Sequence, residues 1–209
     1  MIDKFCDLIT EKIKSKVTDI DEERELIINF GVRLIFGELP KILILFIIGF
    51  LLSMGWQTLL LFFLIAPYRS FTGGIHLKTH LGCMITTSIL YLLPIILSKY
   101  ILISDKNILY ILAGLITIFS IIIIARYAPA DTEDVPILSS KVRKKKRIIS
   151  YVAFSLGLLI SIIISNNTIS NILILSNLLQ TITITRFIYK VTNNKYGYEV
   201  YNDTSYESV

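Results

Sequence analysis

The sequence predicts an all-α, polytopic integral membrane protein, and three observations carry that prediction. Hydrophobic residues fill 54% of the 209 positions against 18% charged, with a mean hydropathy of +0.68. A water-soluble domain of this length cannot bury that much apolar surface without leaving large exposed patches. The apolar residues are gathered into six stretches, about 40–54, 56–68, 80–97, 107–125, 148–165 and 168–186. Lys and Arg are distributed unevenly over the gaps between those stretches. The hydrophobicity excludes disorder, and two cysteines are too few for a disulfide scaffold. A net charge of +5 calls for no nucleic-acid partner, because membrane proteins carry excess Lys and Arg for topology.

Ahead of the first apolar stretch, Ile2, Phe5, Ile9, Ile13, Val17 and Ile20 recur every three or four residues, with Lys12, Lys14 and Lys16 on or near the wet side. This is the period of an amphipathic helix over 2–20. Two placements are open: flat on the membrane surface, or packed on the protein's own cytoplasmic side. Asp3, Lys4 and Asp7 interrupt any early apolar run, so the segment does not read as a signal peptide.

A crossing helix needs about 20 apolar residues, with about 17 as a practical minimum. The last four stretches qualify. The first two are separated by only a few residues around Gly55, and fit either two tightly turned helices or one long kinked one. The partly apolar run 26–39 extends the first of them downwards. Charge decides between these options. With six crossings and a cytoplasmic N-terminus, 19 of the 21 Lys and Arg fall inside and two outside. Both termini are then cytoplasmic, and segments 69–79 and 126–147 share that face. Residues 187–209, polar and Tyr-rich, are expected to form a mobile cytoplasmic tail. The whole chain, 1–209, reads as a single membrane-embedded domain.

One polar constellation stands out, Tyr68 to Cys83. Both histidines, His76 and His80, and one of the two cysteines fall within eight residues at a membrane boundary, where polar groups are expensive unless solvated or functional. Cysteine beside histidine is the minimal kit for covalent acyl transfer: a thiolate attacks a carbonyl, and an imidazole takes the thiol proton and returns one to the leaving amine. Spacing alone leaves the base open. On a continuous helix His80 neighbours Cys83, whereas His76 lies about 10.5 Å away along the axis. If Thr79 caps a helix starting at His80, His76 lies in a loop able to fold over Cys83, and the helix N-terminus favours a thiolate there. Gly73 and Gly74 would then supply a turn and candidate oxyanion donors. A solvated loop followed by a core cysteine remains the plain alternative. Zinc held by His76, His80 and Cys83 is disfavoured, since Leu77 stands where a zinc peptidase needs Glu. No metal and no cofactor are expected. Cys6 reads as a small buried hydrophobe, and both thiols face a reducing compartment, which argues against a disulfide.

The run Arg69-Ser70-Phe71-Thr72-Gly73-Gly74-Ile75-His76, with Cys83 seven residues on, resembles the signature of the accessory gene regulator protein B family. A second block agrees: Arg126-Tyr127-Ala128-Pro129-Ala130-Asp131-Thr132-Glu133, closing at Pro136. The resemblance implies a membrane cysteine endopeptidase of the bacterial cell membrane. Such an enzyme removes the acidic C-terminal tail from a short quorum-sensing propeptide with an amphipathic leader. It then promotes cyclisation to a thiolactone or lactone. By the motif match, His76 is the base, Cys83 the nucleophile and His80 a neighbour. Arg69, Gly73 and Gly74 are supporting candidates, and Asp131, Glu133 or a backbone carbonyl would orient His76. The family also implies a homodimer. The basic run Lys141 to Arg147 admits two roles: a topology anchor near anionic lipid, and, through Lys144, Lys145, Lys146 and Arg147, a dock for the acidic tail. Asp134 lies in the same loop. The competing classes are a non-enzymatic six-helix transporter and a membrane protein that binds the peptide without cleaving it.

The 19-to-2 partition carries its own test. A cysteine placed near position 166 is expected to react with an impermeant thiol reagent in intact cells, and one near 144 only after permeabilisation. Labelling at 144 in intact cells would overturn six crossings.

Overall fold

The computed structural model describes residues 2–17, 22–77, 79–133 and 135–206, with the side chains of His80 and of several residues toward both ends excepted. Within these the chain folds into α1 (Ile2–Lys14), α2 (Glu22–Leu51), α3 (Gly55–Thr72), α4 (His80–Tyr100), α5 (Lys106–Tyr127), α6 (Ser140–Ile163), α7 (Asn167–Thr183), α8 (Arg186–Val191) and α9 (Gly197–Tyr206). Caps mark several starts: the side chains of Thr79, Asp105 and Asn166 accept from the backbone N–H of Gly82, Asn107 and Ile169. Between α2 and α3 the chain reverses within Leu52–Met54, with Ser53 at φ 57°. A side chain at Gly49 would collide with Thr58, so glycine lets the two helices close up. These are two tightly turned helices, not one kinked helix.

Helix α7 is the hub, packing against α3, α4, α5 and α6. Its consecutive residues Ile172, Leu173 and Ile174, which point in different directions, are all buried among the apolar residues of its neighbours. It also buries Asn171, Ser176, Asn177, Gln180 and Thr181. Such groups are costly in an apolar setting unless bonded, and they are bonded. Ser176 Oγ donates to Ile172 O at 2.7 Å, Asn177 Nδ2 to Leu173 O at 2.9 Å, and Thr181 Oγ1 to Asn177 O at 2.8 Å. Because Thr181 uses its proton there, Tyr68 Oη (2.8 Å) and Ser120 Oγ (3.0 Å) donate to it, tying α3 and α5 to α7.

Three helices are long and apolar enough to cross a membrane among the described residues: Leu81–Tyr100, Lys106–Tyr127 and Ser140–Ile163. That is fewer than the six expected. The stretch 40–54 belongs to a 30-residue helix whose first half is polar. The stretch 56–68 continues through Arg69 and Ser70 to Thr72, and 168–186 shortens to the 17 residues of α7 with its buried polar side. Helix α5 shows the opposite character, with Ile111, Leu115, Ile118 and Ile122 all exposed along one face.

Three further expectations change. Helix α1 packs on α2, with Phe5 edge-on to Phe36 at 5.2 Å, Asn29 donating to Asp7 at 3.0 Å, and Lys14 paired with Glu25. Cys6 is fully buried, while Leu8 remains exposed. Residues 18–21, the end of the predicted amphipathic segment, lie outside the described residues. The basic run 141–147 is helical, forming the first two turns of α6. The tail is not free through residue 206: α8 and α9 follow, and Tyr196 stacks between Tyr189 (4.1 Å) and Tyr127 (5.9 Å). Aromatic area, not local hydropathy, docks this segment.

The packing predicts a contrast on one residue type. Leu173→Ala, at 0% exposure, is expected to cost about 2–5 kcal/mol by leaving a cavity, whereas Leu115→Ala, at 60% exposure, costs little. Thermal unfolding in detergent measures both, and equal losses would contradict the assignment of α7 as the core.

Candidate active site

Helix α3 stops at a glycine for two reasons. Gly73 has φ 73° and ψ −150°, a region essentially closed to residues with a Cβ, and a Cβ built there would sit 2.2 Å from Ala130 O. The close approach forms a short parallel bridge: Ala130 N–H donates to Thr72 O at 2.7 Å, and Gly74 N–H to Ala130 O at 3.0 Å. Gln180, fully buried on α7, braces the same turn. Its Nε2 donates to Thr72 Oγ1 and Gly73 O, both at 3.0 Å, and its Oε1 accepts from Arg69 Nη1 at 3.3 Å. Arg69 Nη2 continues to Ile75 O at 3.2 Å. The backbone is therefore held from Thr72 to Ile75, and the next residue is His76.

Thr79 caps α4 and His80 opens it, so His76 lies in the preceding loop, as the spacing argument requires. Its Nδ1 stands 3.6 Å from Cys83 Sγ, within hydrogen-bond reach for sulfur. Cys83 is 7% exposed, and its N–H bonds Thr79 O in the first turn of α4. A third group reaches the sulfur: Lys41 Nζ of α2, at 3.5 Å, which also pairs with Glu38 Oε1 at 2.6 Å. The side chain of His80 lies outside the described atoms, so the three-ligand zinc arrangement is not among the described geometry.

The other predicted residues separate. The amides of Gly73 and Gly74 donate to Arg69 O and Ala130 O, so in this conformation the glycines shape the turn rather than offer oxyanion donors. Asp131 lies on the wall of the cavity that His76 borders, but its carboxylate is turned to α6. Arg143 Nη1 stands 3.1 Å from Oδ1, and the Ile137 N–H donates to Oδ2 at 2.8 Å. Arg143 Nη2 and Arg147 Nε then donate to Pro129 O and Ala128 O at 3.1 and 2.7 Å. The Glu133 carbonyl accepts from Tyr201 Oη at 3.2 Å. Asp134 lies outside the described residues. Tyr189 Oη donates to Ala130 O at 2.8 Å; burial pushes its phenol well above the ordinary value, so it stays a donor.

The cavity beside His76 measures about 520 Å³, and its lining includes the apolar or aromatic Leu45, Phe62 and Tyr91 and the charged Arg69 and Lys146. The rest of the basic run goes elsewhere. Lys144 and Arg147 line a neighbouring hollow with Arg126 and Arg143, and Lys145 is exposed. Sequence reasoning missed Lys41 and Gln180. Lys41 was one more cytoplasmic charge in the topology argument. Gln180 carried the better signal, one of three amides, with Asn171 and Asn177, inside an apolar stretch.

These features define a helical protein with membrane-competent helices and, at a helix N-terminus, a buried cysteine faced by an exposed loop histidine. The accessory gene regulator B family matches residues 6–184, and the chain belongs to that family. An AgrB-like protein of Clostridium acetobutylicum is 28% identical over 199 residues, covering 94% of this chain and 91% of its own. One of Clostridium perfringens is 32% identical over 152 residues, 70% and 68% of the two chains. An accessory gene regulator protein B of Staphylococcus aureus is 28% identical over 184 residues, 88% and 91%. No solved structure matches the chain. Membership in this family implies a part in agr quorum sensing.

The Asp131 geometry yields a prediction. Asp131→Ala leaves the Arg143 guanidinium without its buried partner and is expected to cost about 3–5 kcal/mol of stability, read as a lower unfolding temperature. Were Asp131 instead the residue that orients His76, the variant would lose activity while keeping its unfolding temperature.

Proposed function

We propose that the protein is a membrane cysteine endopeptidase that processes a short quorum-sensing propeptide and cyclises the product. The observation that carries this reading is the 3.6 Å approach of His76 Nδ1 to Cys83 Sγ at the start of α4, beside a cavity lined by both apolar and charged residues. His76 takes the Cys83 proton, and the sulfur attacks the carbonyl carbon of the scissile peptide bond. As the tetrahedral adduct collapses, the C–N bond breaks and His76 gives its proton to the departing amine. The acidic C-terminal piece leaves, and the remaining chain stays on Cys83 as a thioester. An internal Cys or Ser of the propeptide then loses its proton to His76 and attacks that thioester. The ring closes as a thiolactone or lactone as the C–S bond breaks, and Cys83 is released beside the protonated His76, so the pair again holds the proton it started with. Nearness of the internal nucleophile favours closure over hydrolysis, and the low exposure of Cys83 limits water at the acyl group.

In this reading the chain crosses the bacterial cell membrane six times, with both termini and the site at the cytoplasmic face, and works as a homodimer. The propeptide leader lies along the inner membrane surface. Its acidic tail is drawn toward Lys146 at the cavity wall and toward Lys144 and Arg147 nearby. The family match supports the quorum-sensing role, and the charge partition supports the topology.

Cys83→Ala, Cys83→Ser and His76→Ala are each expected to lower propeptide cleavage by at least about 100-fold with insertion intact, while His80→Ala retains measurable activity. Cleavage in membranes containing each variant measures this. An active His76→Ala beside a dead His80→Ala would reverse the choice of base.

A further inference from the structure

Lys41 sits near the start of the apolar half of α2, and its side chain is only 11% exposed. An ammonium group is a compact, strongly hydrated charge that normally keeps its head in water. A Lys–Glu pair at i, i+3 forms readily on an open helix surface and gives no reason for that burial. Here Glu38 is the more exposed partner, at 45%, and Lys41 turns away from water toward sulfur. Its Nζ donates both to Glu38 Oε1 at 2.6 Å and to Cys83 Sγ at 3.5 Å.

The four groups form a row: His76, Cys83, Lys41, Glu38. With the thiol proton on Cys83, Lys41 faces a weak, neutral acceptor. With that proton on His76, the charges along the row alternate, and every nearest neighbour is opposite in sign. Cys83 and Lys41 are both nearly covered, so the attraction between sulfur and ammonium is little screened, and the alternation favours the ionised pair over the neutral one. The N-terminus of α4 acts in the same sense.

We propose that Lys41 is a third catalytic residue, whose ammonium group holds the Cys83–His76 pair in its thiolate–imidazolium form and keeps negative charge on sulfur between turnovers. In the resting site the proton is shared between Sγ and His76 Nδ1 alone, and Lys41 keeps its own throughout turnover. The inference rests on the reading of Cys83 as the nucleophile.

Alkylation of Cys83 by iodoacetamide, followed by mass spectrometry at pH 7 on the full chain in detergent, tests it without any propeptide. Cys6→Ala serves as the parent so that one thiol remains. Lys41→Met is expected to slow alkylation at least tenfold, and Lys41→Arg to stay within threefold of the parent. In propeptide cleavage, Lys41→Met lowers kcat about tenfold with KM within twofold. Should Lys41→Met fail to insert, Lys41→Gln, uncharged but able to donate, is measured in its place with the same expectation. Alkylation of the uncharged variant at the parental rate overturns the proposal, as does equal slowing by Lys41→Arg. The peptidase reading fails separately, through cleavage by Cys83→Ala, and the alkylation comparison does not depend on that result.

Discussion

A single buried amide, Gln180, holds the site in register with the fold. It lies on the hub helix, where nothing but protein can satisfy it, and its three partners all belong to the end of α3 and the turn that follows. An unsatisfied amide in such a place costs about 1–3 kcal/mol, so the turn and the hub are fixed to each other. Arg69 extends the brace to the residue just before His76. On the far side, the parallel bridge to Ala130 ties the turn to the segment linking α5 and α6. Arg143 and Arg147 hold that segment by its carbonyls. The two motif blocks of the chain, far apart in sequence, are thus one mechanical unit.

That unit explains how a loop histidine keeps its aim. Loop side chains are usually the mobile part of a site. Here the backbone is bonded at every residue from Thr72 to Ile75, and it is bounded again at Thr79, where α4 is capped. His76 is exposed, so it can exchange protons, while the sulfur it faces is nearly covered. Preorganisation of this kind comes from rigid neighbours around the reacting groups, not from the reacting groups themselves.

Much of this was legible in the sequence. The all-helical class followed from composition, and the start of α4 followed from Thr79 and the need to bring His76 over Cys83. Helix ends were harder. Hydropathy stops at the first polar residue, but Tyr68 and Thr72 continue α3 because their hydroxyls have partners on α7. The basic run looked like a loop by charge, yet Lys and Arg are good helix formers and open α6. Only three helices reach spanning length and hydropathy among the described residues, and α7 stops at 17 residues with Asn171, Asn177 and Gln180 buried, a placement that a linear average cannot register. The tail was misjudged because stacking of Tyr127, Tyr189 and Tyr196 is a contact between distant residues. The employment of Asp131 was hidden for the same reason, since its partner Arg143 lies on the next helix.

The glycine that ends α3 also bears on how the gene can drift. Third-base changes in a glycine codon are silent, and any other single-base change yields alanine, valine, serine, cysteine, tryptophan, arginine, aspartate, glutamate or a stop. Each of those side chains begins with the same carbon, for which there is no room against Ala130 at Gly73. Position 73 has no one-step neighbour that preserves the turn, whereas an exposed isoleucine of α5 becomes valine, leucine or phenylalanine by a change at the first base of its codon. Variation among descendants of this chain is therefore expected to accumulate on the outer faces of its helices and to stop abruptly at the turn.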